Sequence, residues 1–245
     1  MKKISTTPAA ARQAALRPRR VLAAALSAAL LLAGCGNNPP VPDWQMNAHS
    51  SIERATSAYM AGNARVEAAE FARAREALSS TGKVDLIIRA ELIRCAARVA
   101  SLVFEDCAGY DKLSQDASAA DRAYAAYLTG HLPGRATATP AAGDVSLLPE
   151  QHRAVAAAAN DTAAADAVQT IADPLSRLVA SGVLLRAGRA TPQLLANAVD
   201  TASAQGWRRP LLAWLGVQAM RAEQAGDTVE AERIKRRIAL ITNRT

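Results

Sequence analysis

Apolar residues recur at three- and four-residue steps along most of the chain, which is the period of amphipathic α-helices. The first run predicts a helix over residues 43–61, with Asp43 or Ser50 as its N-terminal cap. A Gly-Asn break follows, and a second helix is expected over residues 64–79. The first apolar run consists of Trp44, Ala48, Ile52, Ala55 and Tyr59.

Residues 84–103 are apolar around a wide arc that includes Ile93, so they predict the central helix of the N-terminal half. Ser118 with Asp121 then matches a capping box, in which each residue hydrogen-bonds the other's backbone at the start of a helix. The helix that they start is expected to end near Thr129, where a glycine follows.

Residues 131–148 lack periodicity and contain several prolines and glycines, so they are interpreted as a linker. It would join an N-terminal helical half, residues 43–130, to a C-terminal helical-repeat half, residues 149–245. Pro149 suits the first turn of a new helix over about residues 150–159.

The C-terminal half carries a repeat of 18 residues. A helix cap followed by a first-turn residue is predicted four times, at Asp173-Pro174, Thr191-Pro192, Arg209-Pro210 and Asp227-Thr228. Gly188 and Gly206 lie one period apart where helices should end, and Gly226 comes two residues late. Small residues at equivalent positions are expected to permit close helix packing, and these are Ala180, Ala198 and Gly216.

The double period of 36 residues is close to the roughly 34 residues of tetratricopeptide repeats. Ala225–Ala231 resembles the inter-helix turn of that family, and Ala58–Asn63 resembles the end of its first helix. Lys235 and Glu67 depart from the family's pattern. The expected fold is therefore all-α, with stacked antiparallel helical hairpins that form a tetratricopeptide-like solenoid or an irregular helical bundle.

The N-terminus has a different pattern, in which a basic leader without acidic residues precedes the 14 uncharged residues Val21–Gly34. This order is typical of a secretory signal peptide, and the apolar stretch is too short to span a membrane. Leu32-Ala33-Gly34-Cys35 then resembles the lipobox of bacterial lipoproteins. The resemblance implies that residues 1–34 are removed as a signal peptide, and that acyl chains on Cys35 anchor the protein in a membrane.

The residues after Cys35 bear on its destination. Asp at the next position retains enterobacterial lipoproteins in the inner membrane, and this chain has Gly36 instead. The resemblance therefore implies an outer-membrane location facing the periplasm. Residues 35–42 are rich in proline and are expected to form an extended tether.

Composition supports the helical interpretation, because roughly a quarter of the residues are alanine and only 4% are aromatic. The formal net charge of +7 would suggest an anionic partner. However, removal of the signal peptide leaves 23 basic against 22 acidic residues, so the mature chain is nearly neutral. We therefore expect no nucleic-acid partner.

Cys95 and Cys107 remain once Cys35 is acylated, and an oxidising periplasm favours a disulfide between them. In one continuous helix their Cα atoms would be about 18 Å apart, so the bond requires the chain to leave the helix near Leu102 and fold back. Two separate buried thiols are the alternative.

Catalytic, metal-binding and cofactor-binding patterns are absent from the sequence. His49, His131 and His152 lack the spacing of metal ligands on one helix, and no nucleophile elbow, phosphate-binding loop or zinc motif occurs. We therefore expect neither an enzyme nor a resident cofactor.

Trp207, Arg208 and Arg209 form the one polar and aromatic cluster that suggests a ligand. Two guanidinium groups beside an indole could bind a carboxylate or a phospholipid headgroup. The alternative is that Trp207 packs in a turn between helices while both arginines are solvated.

Two functions follow as expectations. The first is a non-enzymatic, lipid-anchored periplasmic scaffold or adaptor that binds an envelope protein through a helical-repeat surface. The second is a binding module for lipid or cell-wall fragments, with a cavity between the helical halves near Trp207. A shallow groove favours the first function, and an enclosed apolar pocket favours the second.

Overall fold

The computed structural model describes residues 40–132 and 144–242. Cys35 with the predicted signal peptide, and the middle of the predicted linker, lie outside these ranges. From Pro42 onward the chain forms one compact unit. Among the helices described, none combines the length and the apolar character that crossing a membrane requires.

The described ranges fold into eleven α-helices and two short 3-10 helices, without a β-strand, which confirms the all-α prediction. The first five α-helices are α1 (Asp43–Ala61), α2 (Ala64–Ser79), α3 (Val84–Ala100), α4 (Ala108–Asp111) and α5 (Ala119–Leu128). The 3-10 helices are Ser114–Asp116 and Val145–Leu147. The remaining α-helices are α6 (Glu150–Ala157), α7 (Asp161–Gln169), α8 (Pro174–Arg186), α9 (Pro192–Ala204), α10 (Arg208–Gln224) and α11 (Thr228–Thr242).

Local end signals account for many of these boundaries. Six cap side chains accept a hydrogen bond from the backbone N–H three residues later, and they are Asn63, Ser118, Asn160, Asp173, Thr191 and Asp227. Ser118 and Asp121 form the predicted capping box. The predicted helix ends are also confirmed, because Gly188, Gly206 and Gly226 adopt the left-handed conformation that an L side chain disfavours.

Two predicted helix caps are wrong, although the first of these helices spans the predicted residues 43–61. α1 begins at Asp43 itself, so neither Asp43 nor Ser50 caps it. α10 begins at Arg208, with Trp207 at the cap position and Pro210 as its third residue. The N–H groups of the first turn have no partner within the helix, so proline is tolerated at several positions there and does not locate the start.

The end of α3 brings the two cysteines together. The helix stops at Ala100, before the expected Val103, and Leu102 takes a φ of 58°. The chain folds back there, and Cys95 and Cys107 are disulfide-bonded with their Cα atoms 5.7 Å apart. The chain thus leaves the helix where the predicted pairing required it to do so.

The two predicted halves share one main hydrophobic core. α1 and α2 form an antiparallel hairpin that contacts α3, while α8 to α11 pack in succession. α3 packs against α8, and α1 contacts α10. Leu132 and Leu148, at the two ends of the predicted linker, are both buried in this core. Its members from both halves include Leu92, Val99, Tyr127, Leu178 and Trp214.

One close helix approach lies at a glycine that the repeat pattern does not single out. Ala180 and Ala198 are buried as expected, but Gly216 lies on the exposed side of α10 with open space around it. A Cβ on Gly182 of α8 would instead lie 3.0 Å from Val99 Cγ1, and nearer still to the Val99 carbonyl oxygen. The prediction for Gly216 is wrong because α10 buries its other side, with Pro210, Trp214, Leu215 and Ala219.

Candidate functional site

Two shallow depressions lie side by side along α3, and we call them together the α3 groove. The first has a volume of about 330 Å³ and lies between α1 and α3. The second has a volume of about 380 Å³ and lies between α3, α5 and the residues that precede α6. Arg89 and Ile93 line both depressions. Apolar side chains make up much of the remaining lining, among them Trp44, Ile52, Leu86, Tyr124 and Leu147.

Ile93 occupies the centre of the α3 groove and is unusually open for a large apolar residue of a central helix. Its exposed fraction is 38%, whereas the neighbouring Leu92 is 3% exposed and belongs to the main core. Burial of a full isoleucine side chain is worth roughly 1.5–3 kcal/mol, so a partner that covers Ile93 gains part of that free energy.

Arg89 is the charged group of the groove that is available to a ligand. Its side chain is 61% exposed, and among the residues that the structure describes it reaches only its helix neighbour Asp85, with 3.7 Å between the charged atoms. Asp121 also lines the groove, but its carboxylate accepts hydrogen bonds from the backbone N–H and the hydroxyl of Ser118, at 3.1 Å and 2.6 Å. The carboxylate of Asp121 is therefore used within the capping box, whereas the guanidinium of Arg89 has a single long, exposed contact within the described part of the chain.

Three buried glutamates join the first three helices to one another. Each forms an ion pair with an arginine of another helix, and hydrogen bonding to Arg54 lowers the pKa of Glu70. These pairings compensate the cost of burying the charges, and they commit the carboxylates to the fold. The pairs are Arg94–Glu67 at 2.7 Å, Arg54–Glu70 at 2.9 Å and Arg75–Glu91.

A smaller charged depression, of about 170 Å³, adjoins the disulfide. Gly109 lies on its wall, and the carboxylate of Glu91 occupies the place that a Cβ of Gly109 would take. Arg94 and Arg98 also line the depression, and both form ion pairs with Glu67. Both arginines, and Glu91 through Arg75, are thus held by charged groups outside the depression.

The structure does not present the Trp207, Arg208 and Arg209 cluster as one open surface. Trp207 is half-buried and packs against the main core. Arg209 donates from Nε to the carbonyl oxygen of Tyr59 at 2.7 Å, and its guanidinium lies 4.3 Å from the centre of the Tyr59 ring. Arg209 therefore ties the start of α10 to the end of α1. Arg208 is half-buried, and its Nε has no hydrogen-bond partner among the described residues.

The three histidines are separate, each with a partner of its own. Among the described residues, no group of three side chains could hold a metal ion. The histidine contacts are His49 with Glu53 at 3.3 Å, His131 with Thr129 at 2.7 Å and His152 with Tyr127 at 3.3 Å.

His152 belongs to a buried aromatic cluster behind the second depression. Its ring centre lies 5.0 Å from that of Tyr127 and 5.8 Å from that of Tyr124, which lines the groove. Burial lowers the pKa of His152 to about 4, against a smaller opposing effect of the Asp173 carboxylate. Burial likewise raises the pKa of Tyr127. The cluster is therefore uncharged near neutral pH and supports the groove from behind.

No family model, curated protein or solved structure matches this chain. The candidate site therefore depends on geometry, and its two central residues were not singled out from the sequence. A signal for them exists in α3, where Leu86 and Ile93 lie seven residues apart on one face of the helix, beside the stripe that enters the main core. Arg89 lies between them on this face, which marks it as a surface.

Proposed function

We propose that the chain is a lipid-anchored periplasmic adaptor that holds an envelope protein in the α3 groove. The observation that carries the proposal is Ile93, which lies open at the centre of an apolar groove beside an available guanidinium. The groove is shallow and built from several helices, as is usual for surfaces that receive a protein segment. The paired state of the buried carboxylates favours a binding role over acid–base chemistry.

The lipobox resemblance at Cys35 supports the anchored part of the proposal. Trp44, at one end of the groove, follows Cys35 by nine residues. An extended chain of that length reaches about 30 Å at most. An acylated Cys35 would therefore keep the groove near the membrane, where it could meet segments of membrane-bound proteins.

Replacement of the acylated thiol tests the anchor. We expect Cys35→Ala to abolish metabolic labelling with palmitate and to leave the signal peptide attached, because alanine offers no sulfur for acylation. The double variant Cys95→Ser, Cys107→Ser removes the other two thiols and should keep the label. Palmitate on the Cys35→Ala protein would contradict lipid attachment at this residue.

A photo-crosslinking residue at the groove tests the adaptor role. We expect p-benzoylphenylalanine in place of Ile93 to form a discrete adduct with an envelope protein when cells of the native host are irradiated. The same residue in place of Val229, which is 79% exposed on α11, should not form this adduct. The thermal unfolding of both variants is measured to confirm that the fold is intact.

The adduct must also depend on the surface of the groove. Leu86→Glu introduces a charge in the wall of the depression that Ile93 also lines. It should strongly reduce the yield of the adduct, because a carboxylate in an apolar contact loses its hydration. Identical adducts from positions 93 and 229, or none from position 93, would contradict the proposal.

A further inference from the structure

The two residues shared by both depressions define what the α3 groove can recognise. Arg89 and Ile93 are separated by one turn of α3, so their side chains are neighbours on one face of the helix. A segment that enters the groove therefore meets an alkyl side chain and a guanidinium side chain whose Cβ atoms are about 6 Å apart. The groove combines an apolar contact with one positive charge.

Arg89 differs from most of the other arginines of the first three helices in how it is used. Arg54, Arg75 and Arg94 each bind a buried glutamate of another helix. Among the described residues, Arg89 has only the exposed, 3.7 Å contact with Asp85, and exposed pairs of this kind contribute little to stability. A carboxylate from a partner can displace such a contact at little cost.

We propose that the occupant of the α3 groove is a short apolar peptide segment that carries a carboxylate, which pairs with Arg89. The proposal rests on the proposed adaptor function and adds the chemistry of the partner. An aspartate, a glutamate or a C-terminal carboxylate fits the planar fork of the guanidinium, which offers two parallel N–H donors. The apolar residues of the segment cover Ile93 and the side chains around it.

The charge selects the partner more than it strengthens binding. An apolar segment with lysine near Arg89 would place two positive charges together in a partly desolvated groove, which is unfavourable. Asp121 keeps its negative charge, but Ser118 already occupies its carboxylate with two hydrogen bonds, so it is less available than Arg89 to a charged group of the partner. Acidic segments should therefore be preferred over basic ones of equal hydrophobicity.

A displayed peptide library tests the inference on the full chain reconstituted in lipid nanodiscs. We expect the selected peptides to combine apolar residues with an aspartate, a glutamate or a free C-terminus, and to lose binding when Ile93→Glu is introduced. Replacement of their carboxylate by the amide should weaken binding at least about tenfold. In the Arg89→Glu protein the selection should shift to lysine and arginine.

The matched control is Arg65→Glu, which reverses an exposed charge on α2 outside both depressions and should leave the selection acidic. Thermal unfolding shows whether the variants keep their fold. If the selected peptides bind the groove but show no preference for acidic residues, the inference about the carboxylate is wrong and the proposed adaptor function still stands. The same holds if the acidic preference persists in the Arg89→Glu protein. If no selected peptide is sensitive to Ile93→Glu, both the inference and the proposed adaptor function are wrong. Both are also wrong if a phospholipid, and no peptide, is retained in the groove.

Discussion

Replacement of Trp214 by alanine is expected to lower the free energy of unfolding by about 4 kcal/mol, since removal of a buried tryptophan commonly costs 3–5 kcal/mol. Trp214 is fully buried in the main core. Its indole Nε1 donates a hydrogen bond to the carbonyl oxygen of Ala100 at 3.0 Å. That carbonyl belongs to the last turn of α3, where helical partners run out. The substitution thus removes both a large packing volume and the partner of a buried carbonyl.

Urea unfolding followed by far-ultraviolet circular dichroism measures this loss in a soluble form lacking residues 1–35, which retains the whole compact unit. Trp214→Phe should lose less, because it keeps an aromatic ring while the hydrogen bond disappears. Leu240→Ala is the control, since Leu240 is 80% exposed and should change stability by no more than about 0.5 kcal/mol. A Trp214→Ala protein as stable as the Leu240→Ala protein would disprove the role of Trp214 in joining α3 to α10.

Acid should destabilise the protein through His152. Burial lowers the pKa of this imidazole from 6.5 to about 4. Well above pH 6.5 the ring is neutral in both the folded and the unfolded chain, so His152 contributes no pH dependence to the stability there. Between pH 6.5 and pH 4 the unfolded chain binds a proton that the folded chain excludes, so stability falls as the pH falls. The contribution of His152 to this loss is about 2 kcal/mol between pH 7 and pH 5.

Comparison of variants isolates the contribution of His152 from those of other groups. His152→Gln keeps a neutral polar group and should lose this part of the pH dependence, whatever its stability at pH 7. His49→Gln replaces an exposed histidine and leaves the buried imidazole in place, so its stability should fall with pH as in the wild type. The interpretation fails if His152→Gln loses as much stability between pH 7 and pH 5 as the wild-type chain.

Helix boundaries were the features that sequence reasoning located best. Ser118 with Asp121, Asp173 and Thr191 each act through a hydrogen bond to a residue three positions away, and Gly188 acts through its own backbone conformation. Such effects need no distant partner, so they can be identified from a few adjacent residues. The start of α10 was missed because proline marks a first turn without specifying its first residue.

The candidate site was not predicted because it depends on contacts between residues that are distant in the sequence. The apolar arc of α3 includes both Leu92 and Ile93, and nothing local distinguishes the residue that enters the core from the one that stays open. α8 covers one side of α3, while α1 and α5 approach the other without closing over it. Arg89 likewise cannot be told from Arg94 by spacing alone, since the difference is that Arg94 reaches a buried glutamate of another helix and Arg89 reaches only the exposed Asp85 among the described residues.

By itself the sequence determined the all-α class, most helix ends and the need for a chain reversal between Cys95 and Cys107, because periodicity, capping and bond length operate over a few residues. Only the tertiary structure decided which helix faces are covered. Trp214 bonds a carbonyl 114 residues away, and Gly182 lies against Val99 rather than against a helix of its own repeat. Burial depends on whichever surface packs opposite a side chain, and that surface comes from a distant part of the chain. The open side of α3 is likewise set by the helices packed around it.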